Sequence, residues 1–130
     1  MYLLDTNMLI YFFKNKGHVS EYLINTPPAN IATSVITVYK IEVGLAKSTQ
    51  TTRRRKQFTE LLNTIHCISY TQLEAKSSAQ IRANLESQET PIGPMDKLIA
   101  GTALANGAIP VTHNINEFSR VPGLTLEDWY

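Results

Sequence analysis

This sequence predicts an α/β fold, a short and mostly parallel sheet of four to five strands covered by helices on both faces, on three observations. Four short apolar runs, Tyr2 to Leu4, Asn30 to Thr33, His66 to Ser69 and Ile109 to Val111, show none of the alternation of a strand with one wet face. The first two are followed at once, and the third after one residue, by a good N-cap residue and a helical stretch. Turn residues separate these units: Asn15 to Gly17, Thr26-Pro27-Pro28, Thr90 to Pro94 and Asn106-Gly107. Strands that alternate with helices build a parallel sheet between two helical layers, and 130 residues are one domain, 1–130.

Taken in order, Tyr2 to Leu4 is a buried strand, and Asp5-Thr6-Asn7 opens a helix that carries Met8, Leu9, Tyr11, Phe12 and Phe13 into a core. His18 to Asn25 is a second short helix, ended by the Pro27-Pro28 pair. After the second strand, Ser34 opens a helix through Val35, Ile36, Val38, Tyr39, Ile41 and Leu45. Thr51 to Ile65 is the most amphipathic segment, with Phe58, Leu61, Leu62 and Ile65 opposite Arg53-Arg54-Arg55-Lys56. Strand three holds Cys67, read as a small buried hydrophobe. Thr71 to Gln88 is a long helix with Leu73, Ala75, Ala79, Ile81, Ala83 and Leu85 as candidate packing residues. Pro94 suits the first turn of the next helix, whose Ala100, Gly101, Ala103 and Ala105 allow a close approach to its neighbours. In the fourth strand Pro110 cannot donate to a ladder, which argues for a peripheral place, and Leu124 to Leu126 is a candidate last edge strand.

Composition excludes several classes. A net charge of +1 leaves a polyanion site only as a local patch, and one cysteine excludes an internal disulfide and points to a reducing cytoplasm. The longest apolar run, Met8 to Phe13, is far too short to span a bilayer, and the first lysine follows it, so no membrane or secretory segment is expected. No glycine-rich phosphate loop follows the first strand; Asp5-Thr6-Asn7 stands there instead. One Cys and the scattered His18, His66 and His113 lack zinc spacing, and no serine elbow exists. A dehalogenase-type hydrolase wants a second acid where Asn7 stands, and a phospho-receiver wants an acid where Leu4 stands. The polar groups left at strand ends and helix starts are Asp5, Asp96, Asn114 and Glu117. Such hard oxygen donors suit Mg²⁺ or Mn²⁺, ions that activate water and stabilise phosphodiester transition states. In isolation, Asp5 could equally be only a helix cap, and Asp96 could merely complement a helix dipole.

Four motifs in order, Leu3-Leu4-Asp5-Thr6-Asn7, Ser34-Val35-Ile36-Thr37, Pro91 to Ala100 and Val111-Thr112-His113-Asn114 followed by Asn116-Glu117-Phe118, resemble the PIN-domain ribonucleases, and within them the VapC toxins. The likeness extends through Val121-Pro122-Gly123-Leu124 to Glu127-Asp128-Trp129. It implies a PIN-like α/β/α fold and a Mg²⁺- or Mn²⁺-dependent endoribonuclease with Asp5 and Asp96 as metal-binding acids. Asn114 falls on the fourth acidic position and Glu117 on a further acid, while Thr6, Asn7, Ser34 and Thr112 line the site. The resemblance also implies a structured RNA substrate, such as tRNA and in enteric relatives the initiator tRNA, and a homodimer held by a VapB-type antitoxin. Arg53, Arg54, Arg55 and Lys56 are either RNA contacts or a solvated helix face.

One position departs from the pattern. Where the family places a metal-site glutamate, three residues after Thr37, this chain has Lys40. Glu42 cannot substitute, because two residues along a helix is a rotation of about 200°. Either the enzyme works with a rearranged site, or the chain is a catalytically impaired PIN domain that still dimerises and binds its antitoxin. The charge argument favours Lys40 bridging Asp5 and Asp96. His113 is expected as a loop residue near the site, and Phe12, Phe13 and Tyr39 as core, dimer or antitoxin-groove residues.

Overall fold

A computed structural model describes residues Met1–Tyr130. Its elements are β1 (Tyr2–Leu4), α1 (Thr6–Phe13), α2 (Val19–Ile24), β2 (Ile31–Ser34), α3 (Val35–Lys47), α4 (Thr52–Leu62), β3 (His66–Ile68), α5 (Gln72–Ser87), α6 (Pro94–Ala105), β4 (Ile109–Val111) and α7 (Ile115–Phe118). All strand pairs are parallel, in the order β3-β2-β1-β4, with Leu3 opposite Ala32 on one side and Pro110 on the other.

Because successive strand residues face opposite ways, the sheet divides the core in two. Leu3 and Ala32 point to a layer with Ile81, Leu85, Ile99 and Phe118 from α5, α6 and α7. Leu4 and Ile31 point to the other, with Met8, Leu9, Ile41, Phe58 and Trp129. The result is the three-layer α/β/α sandwich expected, with four strands. Leu124 to Leu126 forms no strand; nearby, Glu127 alone bridges to Val111.

Pro110 is accommodated by phase. Ile109 N–H donates to Met1 O at 2.8 Å and Asp5 N–H to Val111 O at 3.1 Å, so Pro110 nitrogen faces away from β1 and no ladder bond is lost. Its carbonyl accepts from Glu127 N–H at 3.0 Å, and Thr112 N–H donates to Glu127 O at 2.9 Å. The chain's last residues thus cover the β4 edge.

Two expectations about packing need correction. Cys67 is exposed, because β3 is the opposite edge strand and meets no helix there that would cover the thiol. On α5, Leu73, Ala75, Ala79 and Ala83 are solvent-facing, and the buried stripe is Glu74, Ser78, Ile81 and Leu85. That stripe keeps helical spacing, but two of its members are polar, so hydrophobicity alone misplaced the face. Glu74 is satisfied by the capping box with Thr71 and by Asn106 Nδ2 at 3.0 Å, which hold its carboxyl down at about 2.

Trp129 anchors the C-terminal segment. It is 1% exposed, lies 5.1 Å from the Tyr22 ring at an interplanar angle of 5°, and its indole N–H donates to Glu127 Oε1 at 2.9 Å. Trp129→Ala should cost about 3–5 kcal/mol, read as a lower denaturant midpoint, because it opens a void beneath α2 and leaves the β4 edge bare.

Candidate active site

The carboxyl ends of β1, β2 and β4 converge, and β1 is where the strand order turns back, so the crevice falls where open α/β sheets hold ligands. Each strand delivers a polar residue there. Asp5 follows β1 and caps α1, its Oδ1 accepting from Met8 N–H at 2.9 Å. Ser34 ends β2 and caps α3, accepting from Thr37 N–H at 3.1 Å. Thr112 follows β4, and its hydroxyl accepts from Asn114 N–H at 3.0 Å.

Beneath the acids lies a frame of buried hydroxyls. Thr6 Oγ1 donates to Thr37 Oγ1 at 3.3 Å, Ser34 Oγ to the same oxygen at 3.4 Å, and Thr33 Oγ1 to Leu4 O at 3.1 Å. All four hydroxyl residues and Thr112 are buried, so these bonds satisfy groups that would otherwise be costly.

Asp5 is 4% exposed, and burial raises its pKa against the opposing pull of the Thr112 hydroxyl, the Met8 N–H and Lys40. Asp96, in the first turn of α6, is half-buried and pushed up to about 6. Burial is the main cause; the Glu117 carboxyl and the charge of Asp5 add to it, and Lys40 opposes it. Glu117 in turn accepts a short hydrogen bond from Asn114 Nδ2. The structure therefore brings Asp5, Asp96, Asn114, Glu117 and Lys40 into one electrostatic unit, with Thr6, Ser34 and Thr112 below it. Asn7 is exposed on α1 and joins none of the site's hydrogen bonds.

The direct Lys40 bridge is not formed. Its charge is felt by both aspartates, yet it makes no ion pair within 4.0 Å. Half-buried Lys40 also lines the groove between α1 and α3, and a direct bridge would carry the cost of drying its ammonium beside buried carboxylates.

Two contributors escaped the sequence reading. Thr37 is the shared acceptor of the hydroxyl frame; its place as the third residue of a helix behind a serine cap was the available signal. Asp128 raises the Asp5 pKa and holds His113, whose Nδ1 lies 2.8 Å from Asp128 Oδ2. It stood in the C-terminal motif without an assigned role. The basic run separates. Arg55 is paired with Glu42 through 3.0 and 3.1 Å contacts, Arg54 lies over the Phe13 ring at 4.9 Å, and Arg53 and Lys56 are exposed.

Asp5 and Asp96 are the acids that could hold a divalent ion. No three acid, histidine or cysteine side chains form a ready-made cage. The donor chemistry nevertheless fits: hard oxygens, and an Asp96 whose ionisation is disfavoured by neighbouring acids, a burden that a cation would relieve. A pH test follows. With Asp96 raised to about 6 from 3.8, its ionisation destabilises the metal-free fold above the raised value and not below the lower one. Asp96→Asn in EDTA should raise the thermal midpoint near about pH 8 and leave it unchanged near about pH 4.

The sequence matches the PIN domain over residues 2–124. It is 36% identical to the tRNA(fMet)-specific endonuclease VapC of Shigella flexneri and 34% identical to that of Salmonella typhimurium, in each case over 98% of this chain and 97% of the relative. The fold superposes with a TM-score of 0.92 on a solved structure of VapBC2 from Rickettsia felis bound to a promoter DNA fragment, at 30% identity over 99% of this chain and 98% of that one. With the acids, the hydroxyl frame and the sheet order all in place, this chain belongs to the PIN-domain family, on its VapC branch.

Proposed function

We propose that this chain is the toxin of a VapBC pair, a Mg²⁺- or Mn²⁺-dependent endoribonuclease for structured RNA, with tRNA, and initiator tRNA first, as substrate. The observation that carries the reading is the placement of Asp5, Asp96 and Glu117 in one crevice at the carboxyl ends of the strands, over a satisfied hydroxyl frame. Relatives at 34–36% identity named as tRNA(fMet)-specific endonucleases support the substrate class. A VapB-type antitoxin neutralises it, as solved VapBC complexes of relatives suggest. No helix is long and apolar enough to cross a membrane, and the tRNA substrate places the work in the cytoplasm.

In this reading Asp5 and Asp96 hold the ion, which when bound supplies an activated water and charge neutralisation at the phosphodiester. The protein's own part is orientation. The Met8 N–H and Thr112 fix the Asp5 carboxyl, and Asn114 fixes the Glu117 carboxyl beside Asp96. Lys40 lowers the affinity for a cation and leaves the chain impaired relative to a glutamate-bearing site. Exposed Val35 and Tyr39, one turn apart on α3, are 39% and 58% accessible and support a homodimer contact.

The test is cleavage of a panel of tRNAs and unstructured RNAs with Mn²⁺, Mg²⁺ or EDTA, by this chain and by Asp5→Asn. Metal-dependent cuts at discrete sites that disappear in Asp5→Asn are expected. If neither this chain nor Lys40→Glu cuts any RNA, the non-catalytic binding module replaces the enzyme.

A further inference from the structure

Where β4 runs out, the rim of the acid crevice carries three aromatic rings that the proposed reaction leaves without a task. His113 stacks on Tyr130, with ring centroids 4.3 Å apart and planes 28° from parallel. Tyr11 meets both edge-on, 4.7 Å from the Tyr130 ring and 6.0 Å from that of His113. The cluster stands next to the chemistry. His113 lies in the chain between Thr112, whose hydroxyl bonds the Asp5 carboxyl, and Asn114, which bonds Glu117.

The rings are held in place. His113 Nδ1 lies 2.8 Å from Asp128 Oδ2, and Asp128 Oδ1 accepts from Tyr130 N–H at 2.9 Å, so one carboxylate fixes both residues. Tyr130 O accepts from His18 N–H at 2.8 Å. Beside it Gly17, at φ +62°, leaves no room for a Cβ against the Tyr130 backbone. Even so, Tyr130 is 43% exposed and the His113 side chain 47%. Rings fixed on one side and open on the other suit a flat ligand, because little freedom is lost when it binds.

The surroundings decide which flat ligand. Asp128 and the crevice acids Asp5, Asp96 and Glu117 outnumber Lys40, so a phosphate is disfavoured against the rings themselves, whereas an uncharged nucleobase is not. A phosphodiester at Asp5 and Asp96 brings two nucleosides with it, and a base that leaves its stack needs a replacement face. We propose that Tyr130 and His113, steadied by Tyr11 and Asp128, form a stacking platform for one unstacked nucleobase next to the phosphodiester at the acids, which favours cleavage at single-stranded positions. The proposal rests on the nuclease reading for the nature of the ligand; the platform itself comes from the rings.

Photocrosslinking tests this on the full chain carrying Asp5→Asn, which spares the RNA, in Mg²⁺. The probe is a pool of single-stranded RNAs of about seven nucleotides with 5-iodouridine at the centre, a base that joins to aromatic rings on which it stacks. Crosslinks should concentrate on Tyr130, His113 or Tyr11. The affinity of the pool should fall on the order of tenfold in Tyr130→Leu and be kept in Tyr130→Phe. An unchanged thermal midpoint in Tyr130→Leu separates lost stacking from lost folding, and His113→Leu repeats the measurement from the other ring. An abasic residue in place of the crosslinked nucleotide should cost a similar factor in the parent chain and nothing further in Tyr130→Leu. Crosslinks confined to other surfaces, or equal affinity in Tyr130→Leu and its parent, overturn the platform and leave the nuclease reading intact. A pool that does not bind overturns it too. Tyr130 ring resonances that move with N-acetylarginine amide and not with the pool assign the rings to a guanidinium of a protein partner, and also overturn the proposal. Platform binding in a chain that cuts no RNA keeps the platform and removes the nuclease reading.

Discussion

Lys40→Glu is expected to raise metal-dependent RNA cleavage by on the order of 100-fold or more, and to create a measurable Mn²⁺ site by calorimetry. The argument is electrostatic. Lys40 acts on both Asp5 and Asp96, and the three side chains sum to a single negative charge when both acids are ionised. Exchange for glutamate swings that sum by two. At about 4 Å and an effective dielectric of 20, each unit pair is worth ~4 kcal/mol, and a divalent ion doubles it. Lys40 stays more than 4.0 Å from either carboxylate, so the realised change is smaller. About 2.7 kcal/mol is enough for the 100-fold gain. Equal cleavage by the two chains, with equal Mn²⁺ binding, would show that Lys40 is no obstacle.

Gly101→Ala should be the most destabilising small substitution in the molecule, at about 3 kcal/mol, measured by urea unfolding. Gly101 is where α6 crosses α5, and a Cβ built there would lie 2.8 Å from both Cα and Cβ of Ser78, with Ser78 Oγ nearer still. A backbone atom cannot rotate away, so the helices must separate, loosening Ile81 and Leu85 from Ile99 and shifting Asp96 at the start of the same helix. Ser78→Gly in the same chain should recover part of the loss and not all, because the Cα remains. Ser78→Ala alone should be neutral or stabilising, since its buried hydroxyl has no hydrogen-bond partner.

Much of this was legible in the chain itself. Asp5-Thr6-Asn7 after an apolar triplet announced a strand end, a cap and a crevice, and Pro110 announced an edge; both follow from local backbone chemistry. The face of α5 was not legible. Glu74 and Ser78 are buried because Thr71, Asn106 and Gly101 receive them, and those partners lie elsewhere in the fold. Cys67 was misplaced for a related reason: a short apolar run shows that a strand exists, not whether it lies at the centre or the rim. Lys40 was recognised as a mismatch, but its position along a groove wall, out of contact with the aspartates, depends on the cost of drying an ammonium, which no motif encodes.

The hydroxyl frame under the acids has a genetic consequence. Thr6, Thr37, Ser34, Thr33 and Thr112 satisfy one another and the local backbone without drawing on the residue at position 40. That residue can change its charge while the socket keeps its shape. Lysine and glutamate codons differ by a single purine at the first base, so the lysine and glutamate forms of this socket are neighbours in sequence space, one transition apart.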